Sequence, residues 1–232
     1  MITKNDLCAT IKSDYVLEGD GSFQFHETDP GERVLRDVDF QVSGHYVALS
    51  SKILKDSAEI YNKQFNETYL RKNCDKVVLL NKDSKDYIAW IEVKTSFNEI
   101  YRKGIFQFPG CYYRTKAFLD NFASHSDKGF LEFALAIYTE DAPPIEISST
   151  STYTQAKFKK INPDPETAHQ KIENKYKSIL KSRGKCIIEG SDFGMDKMPI
   201  LEKYKVDSLP CVVWPVKYKG GIVNIDEVIA LL

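Results

Sequence analysis

The clearest strand pattern in the chain lies between residues 75 and 94. Two apolar runs, at 77–80 and 87–91, flank a polar stretch at 81–86 that is rich in turn-forming residues. Short runs of β-branched and aromatic residues on either side of such a stretch predict a β-hairpin. A turn centred on Asp83 and Ser84 pairs residue 82 with residue 85 and thereby sets the register of both strands.

Apolar residues at helical spacing predict a helix on each side of this hairpin. Ser50 and Ser51 suit the N-cap of a first helix over residues 53–65. Pro109 suits the first turn of a second helix, which apolar residues continue to position 122. A buried strand over residues 131–138 is predicted to follow.

Further elements are predicted before and after this core. Those before it are a helix at 4–12, a turn at 18–21 and strands at 34–40 and 46–49. After it we expect a helix with Asp164 as its cap, Pro165 at its first position and Gly184 past its end. The last predicted elements are strands at 186–188 and 211–214, a turn at 219–221 and a helix at 225–232.

Taken together, these elements predict an α/β fold with a mixed central β-sheet flanked by helices. The 232 residues, 42% of them hydrophobic, are enough for a substantial core, and one domain over 1–232 with N- and C-terminal elaborations is the expectation. No apolar stretch reaches the length of a membrane span and no signal-peptide core is present, so we expect a cytoplasmic protein. The five scattered cysteines predict free thiols and neither a disulfide framework nor a zinc site.

Residues 155–185 are strongly basic, although the chain as a whole is nearly neutral. The chain has 32 Lys and Arg against 33 Asp and Glu, whereas this segment has nine Lys and Arg against three acids. Such a segment contributes phosphate contacts that position a protein on nucleic acid, and Lys171 and Lys175 are the candidates. A solvated helix face without a ligand is the alternative on charge alone.

Asp75, Glu92 and Lys94 are the candidate chemical groups of the hairpin. In the predicted register Asp75 lies opposite Glu92, with Cβ atoms about 4.5–5.5 Å apart, and Lys94 shares their face of the sheet. Two facing carboxylates destabilise a hairpin unless a positive charge lies between them, and Mg²⁺ takes carboxylate oxygens as ligands. The pattern therefore indicates a metal site. The alternative is an acid and a lysine exposed at a strand end with no ligand.

Asp75, followed at the end of the second strand by Glu92-Val93-Lys94, resembles the PD-(D/E)xK nuclease superfamily, the restriction-endonuclease-like fold. Cys74 stands where the name-giving proline would be, and the resemblance covers residues of the core at about 50–140. It implies Mg²⁺-dependent hydrolysis of phosphodiester bonds in nucleic acid, with Mn²⁺ able to substitute. It also implies metal binding by Asp75, Glu92 and the Val93 carbonyl, with Lys94 orienting or activating the attacking water.

The same resemblance suggests two residues outside the motif. Many members supply an acid from the first core helix to the metal, so Glu59 is a candidate ligand; Glu67 and a plain helix-surface role for Glu59 are alternatives. Some exonuclease-type branches carry a glutamine and a tyrosine near the second helix. Gln107 is therefore a candidate for contact with nucleic acid, and a polar residue at a helix entry is the alternative.

The expected function is that of a nuclease, a DNA endonuclease of restriction or repair type acting on double-stranded DNA, with a homodimer as one open oligomeric state. A non-catalytic nucleic-acid-binding module with the same fold is an alternative. So is an unrelated α/β structural protein, in which Asp75 and Glu92 would point to different faces. The sequence has no nucleophile-elbow, Walker or dinucleotide-binding glycine motif, and its four histidines lack ligand spacing. DNA versus RNA and endo- versus exonuclease action stay open.

Overall fold

The computed structural model describes residues 3–9, 11–26, 37–50, 53, 56, 72–122, 129–139, 167–217 and 220–232. These residues form an α/β structure with a mixed eight-stranded sheet flanked by helices, which confirms the predicted fold class. In chain order the strands are β1 (Val16–His26), β2 (Asp37–Leu49), β3 (Lys76–Lys82), β4 (Lys85–Lys94), β5 (Leu131–Thr139), β6 (Lys185–Glu189), β7 (Ser208–Val216) and β8 (Gly221–Asn224).

The sheet places β4 at its centre. The strand order is β1-β2-β3-β4-β5-β7-β6, and β8 lies off this path beside β2. Strands β1 to β4 form an antiparallel meander, whereas β4, β5 and β7 run parallel to one another. Ligand sites of α/β sheets form at the carboxyl ends of their parallel strands. The carboxyl end of β4 is therefore where a ligand site is expected.

Helices cover both faces of the sheet. They are α1 (Lys4–Cys8), α2 (Phe108–Leu119), α3 (Ala168–Arg183) and α4 (Ile225–Ala230). Between β4 and α2 the backbone is helical through a short α-helical turn (Phe97–Glu99), a π-helical turn (Ile100–Gly104) and a 3-10 turn (Ile105–Gln107). Further 3-10 turns lie at Ser13–Tyr15, Gly190–Phe193, Met195–Lys197 and Glu202–Tyr204.

The predicted hairpin register is confirmed. Lys82 pairs with Lys85, and the same register continues to Lys76 opposite Ile91. Asp83 and Ser84 have φ angles of 50° and 59°, the left-handed conformation that two-residue type I′ turns require. This register sends alternate side chains of β3 and β4 into two separate hydrophobic cores, one on each face of the sheet.

The first core, on the face of Glu92, is the larger one. Trp90 of β4 packs there with Cys111 of α2 and Tyr176 of α3, and all three side chains are buried. The second core, on the opposite face, joins Ile91 of β4 to Val228 of α4. Because α2 and α3 both lie on the Glu92 face, they bound the space into which this side chain points.

Several predicted elements differ at the N-terminal end. The stretch predicted to be a turn at 18–21 lies inside β1, because pairing with β2 overrides its local turn preference; the glycine Gly21, with φ 84°, lies at the register shift between Asp20 and Ser22. The two strands predicted at 34–40 and 46–49 belong to the single long strand β2. The helix predicted over 4–12 ends at Cys8. The helix predicted over 53–65 lies outside the described residues, apart from positions 53 and 56.

The C-terminal elements follow the prediction more closely, with three corrections. Helix α3 is capped by Thr167, whose hydroxyl accepts from the Gln170 N–H, and the predicted cap Asp164 and Pro165 lie outside the described residues. Gly184 ends this helix at φ 64°, as predicted. Strand β8 was not predicted, and the closing helix ends at Ala230. Among the described residues no helix is long and apolar enough to cross a membrane.

Candidate metal and catalytic site

The candidate site lies at the carboxyl end of β4, on the face of the larger core. Glu92 and Lys94 lie two residues apart and point to this face. On the neighbouring strand β5, Ala136 is in register with Glu92 and Tyr138 with Lys94. A small side chain thus neighbours Glu92 on β5, whereas an aromatic one neighbours Lys94.

Asp75 lies on the other side of Glu92, one residue before β3. Its N–H donates to the Ile91 carbonyl at 3.0 Å, and its Oδ2 accepts from the Val93 N–H at 2.7 Å. The second bond holds the Asp75 carboxylate at the β4 backbone between Glu92 and Lys94. The structure thus brings Asp75, Glu92 and Lys94 together, as the register predicted.

Glu92 is the most unusual group of the site, because it is a fully buried carboxylate in a central strand. The Lys94 amine forms an ion pair with its Oε1. Among the described residues, neither oxygen of Glu92 accepts a hydrogen bond of regular geometry. Burial and the negative charge of Asp75 together outweigh Lys94 and raise the pKa of Glu92 well above its ordinary value.

Lys94 carries a positive charge at neutral pH. Burial lowers its pKa, but the carboxylates of Glu92 and Asp75, with a smaller contribution from Glu99, more than offset burial and raise the pKa of Lys94 above its ordinary value. A protonated amine donates hydrogen bonds and cannot take up a proton. Lys94 is therefore suited to orienting a water molecule or stabilising negative charge, and unsuited to acting as a general base.

Gly104 packs directly against the side chains of Glu92 and Lys94. It ends the π-helical turn in right-handed helical conformation, with φ −59° and ψ −49°. A Cβ atom at this position would lie 3.5 Å from Glu92 Cγ and 3.8 Å from Lys94 Cγ, which are ordinary contact distances. Neither backbone conformation nor crowding by these neighbours requires a glycine here, and π-helical turns often occur at functional sites.

Glu99 is a residue of this neighbourhood that the sequence reasoning missed. It lies on the short helical turn after β4 and forms an ion pair with Lys103 at 3.0 Å. Burial raises its pKa, but bonds from Lys103 and Thr95 and the charge of Lys94 outweigh burial and lower the pKa of Glu99. Its four-residue spacing from Lys103 was the available signal.

Two buried thiols lie close behind the carboxylates, and all five cysteines are free, as predicted. Cys74 and Cys111 share a hydrogen bond. Burial raises the pKa of Cys111, but that bond and the charge of Arg114 lower the pKa of Cys111 to about 7. The Trp90 indole N–H, on the Glu92 face of β4, has no hydrogen-bond partner in the described part of the chain. The interior around Glu92 is thus unusually polar.

Asp75 and Glu92 are the two carboxylates of the site that could hold a hard divalent cation. The described residues contain no group of three or more His, Cys, Asp and Glu side chains that could hold a metal ion. Asp75 and Glu92 supply two carboxylates, and both Glu92 oxygens are buried. The candidate third acid, Glu59, and its alternative Glu67 lie outside the described residues.

The candidate nucleic-acid contacts lie farther from these carboxylates along the chain. Gln107 precedes α2, and its side-chain oxygen accepts from the Asn73 N–H at 3.1 Å, which joins α2 to the segment before β3. Lys171 is exposed on α3. Lys175 is also exposed, but its amine pairs with Asp192 at 2.5 Å. Their roles on nucleic acid stay predictions.

Comparison of the chain with protein-family models, with curated proteins and with solved structures gives no match in any of the three.

Proposed function

We propose that the protein is a Mg²⁺-dependent nuclease that hydrolyses phosphodiester bonds in DNA. The observation that supports this most strongly is the Glu92 carboxylate, fully buried and without a regular hydrogen bond among the described residues, beside Asp75 and a charged Lys94. Burying ionised carboxylates is costly unless positive charge compensates them. Lys94 is a single amine beside the two carboxylates of Asp75 and Glu92, and a bound divalent cation would balance the remaining negative charge.

In the proposed mechanism Asp75, Glu92 and the Val93 carbonyl would hold the metal ion. A bound Mg²⁺ supplies polarisation of the scissile phosphate and a lower pKa of the attacking water. The Val93 N–H holds the Asp75 carboxylate in place through its 2.7 Å bond. Lys94 remains protonated, donates to the attacking water or a phosphate oxygen, and stabilises the negative charge that develops in the transition state.

Metal binding is tested without reference to activity by tryptophan fluorescence. The chain has two tryptophans, and Trp90 lies about 7 Å along β4 from Glu92 on the same face, given the strand repeat. In a Trp214→Phe background, paramagnetic Mn²⁺ is expected to quench Trp90, and Glu92→Gln is expected to remove this quenching. Equal quenching in both proteins would contradict a metal site at Glu92.

Cleavage is tested on supercoiled plasmid with Mg²⁺, Mn²⁺ or EDTA. Nicking by the wild type that EDTA abolishes, and that Glu92→Gln lacks, supports the nuclease. Binding of DNA and Mn²⁺ with no cleavage under any of these conditions would replace the nuclease by a non-catalytic nucleic-acid-binding module.

A further inference from the structure

A row of aromatic rings begins beside Lys94. Tyr138 is in register with Lys94 on the neighbouring strand. Phe97, on the turn after β4, meets Tyr138 edge to face with ring centroids 5.5 Å apart, and meets Tyr101 at 5.8 Å. The amine of Lys177, from α3, lies 5.3 Å from the centre of the Tyr101 ring.

This row has a lysine at each end, and two of its three rings are partly exposed. Phe97 and Tyr138 are half-buried, whereas Tyr101 is buried and its hydroxyl donates to Asn98 at 3.1 Å. Partly exposed aromatic rings with amines close by are the features by which proteins hold unpaired nucleotides, with bases stacked on rings and phosphates near cations. Bases inside a duplex already stack on each other, so a duplex gains less from such a row.

We infer that the row of Phe97, Tyr101 and Tyr138 binds single-stranded nucleic acid beside Lys94. Unpaired bases stack on Phe97 and Tyr138, and the backbone phosphates lie near the amines of Lys94 and Lys177. This inference rests on the proposed function, because it takes the Lys94 site as the place of cleavage. It specifies the substrate as nucleic acid with unpaired nucleotides next to the bond that is cut.

The primary test measures binding of fluorescein-labelled oligothymidylate and of a blunt duplex in EDTA, which prevents metal-dependent cleavage. The wild type is expected to bind the single strand more tightly. Phe97→Leu is expected to weaken this binding by about 5- to 150-fold, the effect of losing one base–ring stack. Phe97→Tyr keeps a ring and is expected to bind like the wild type.

A matched control comes from a second aromatic pair with its own amine. Tyr204 meets Tyr113 of α2 at 6.0 Å, and the Lys203 amine lies 4.8 Å from its ring centre. Tyr204→Leu is expected to leave binding of the single strand unchanged. Thermal unfolding establishes that each variant is folded, and 2-aminopurine within the oligonucleotide reports stacking in the wild type itself, so the test does not depend on any one variant.

The inference is overturned if the duplex binds as tightly as the single strand, if Phe97→Leu binds like Phe97→Tyr, or if 2-aminopurine fluorescence does not change on binding. Failure of the proposed function looks different. In that case the single strand binds and the variants rank as expected, but plasmid and oligonucleotide stay uncut with Mg²⁺ and Mn²⁺. Conversely, metal-dependent cutting of duplex DNA with no effect of Phe97→Leu retains the nuclease and removes the stacking row.

Discussion

Gly104→Ala is expected to change the stability of the protein and its cleavage of DNA in opposite directions. Gly104 has helical backbone angles, and glycine in a helix costs roughly 0.5–1 kcal/mol relative to alanine. The new methyl group would contact Glu92 Cγ at 3.5 Å and Ile100 Cδ1 at 3.6 Å without overlap. Burial of one such group adds about 0.8 kcal/mol. We therefore expect Gly104→Ala to stabilise the metal-free protein by about 1–2 kcal/mol.

The same methyl group would also lie 3.8 Å from Lys94 Cγ, so it presses on both side chains that we assign to the metal and the substrate phosphate. Cleavage should therefore fall while stability rises, by up to about 100-fold if a reacting group moves by about 1 Å. Urea unfolding in EDTA measures the first effect, and plasmid nicking with Mg²⁺ measures the second. For a chain of this size, the stabilisation corresponds to a Tm increase of about 2–8 °C.

Ser178→Ala provides the matched control for this experiment. Ser178 is exposed on α3, and alanine there is expected to add about 0.5 kcal/mol through helix propensity alone. This control should leave cleavage unchanged. A destabilised Gly104→Ala protein would show that the methyl group does not fit against Glu92 and Ile100 as described. A stabilised protein with wild-type cleavage would show that crowding of Glu92 and Lys94 does not affect the reaction.

Three further predictions concern single side chains. Lys94→Ala should retain Mn²⁺ quenching of Trp90 but lose cleavage by about 10²–10⁴-fold, and cleavage at the wild-type rate would refute the role assigned to Lys94. Folding raises the pKa of Glu92, because the core accommodates the protonated carboxyl group better than the ionised one. The wild-type protein therefore loses stability as pH rises through the folded-state pKa of Glu92. Glu92→Gln also removes the ion-pair partner of Lys94, so the pH dependence is the diagnostic quantity. In EDTA, the stability of the wild type relative to Glu92→Gln should fall as pH rises from 4 to 8 in urea titrations; a difference that is constant with pH would contradict the assignment. Tyr176→Phe should cost about 1–3 kcal/mol in urea unfolding, because the Tyr176 hydroxyl bonds Asp192 at 2.7 Å and the Glu189 N–H at 2.9 Å; an unchanged midpoint would show these bonds to be dispensable.

The hairpin was predictable because the residues that determine its turn and its strand register are close together in the sequence. Asp83 and Ser84 accept left-handed backbone conformations, and a turn centred on them pairs residue 82 with residue 85, which sets the register of both strands. Once the register is known, the shared face of Asp75, Glu92 and Lys94 follows. The candidate site could thus be located from sequence because it lies at the end of this one hairpin.

Strand β1 was not predictable in the same way, because its order comes from a distant part of the chain. Its Gly19, Asp20 and Gly21 favour a turn locally. Pairing with β2 and the stacking of Phe23 on Phe40, with ring centroids 4.7 Å apart, favour a strand instead. Such long-range contacts outweigh local conformational preference. A prediction made without knowledge of the pairing strand β2 therefore places a turn where β1 continues.

The position of Gly104 shows a second limit of sequence reasoning. The apolar residues of the 97–107 segment have no regular helical period, because α-helical, π-helical and 3-10 turns follow one another there. A π-helical turn inserts one residue relative to an α-helix and so changes which residue faces the sheet. The placement of a glycine over Glu92 therefore depends on backbone geometry that side-chain patterns do not encode.

Glu92 and Gly104 together support a functional reading more strongly than either does alone. A buried acid at the centre of a sheet lowers stability, and a glycine where alanine fits lowers it again. A Cβ at position 104 would lie 3.5 Å from Glu92 Cγ and 3.8 Å from Lys94 Cγ, so Gly104 adjoins both groups. Gly104→Ala is expected to gain stability on its own. Glu92→Gln removes a carboxylate whose pKa folding raises, so the wild type loses stability relative to this variant as pH rises. Both changes alter the groups that we assign to the cation and the phosphate, and both are therefore expected to lose cleavage.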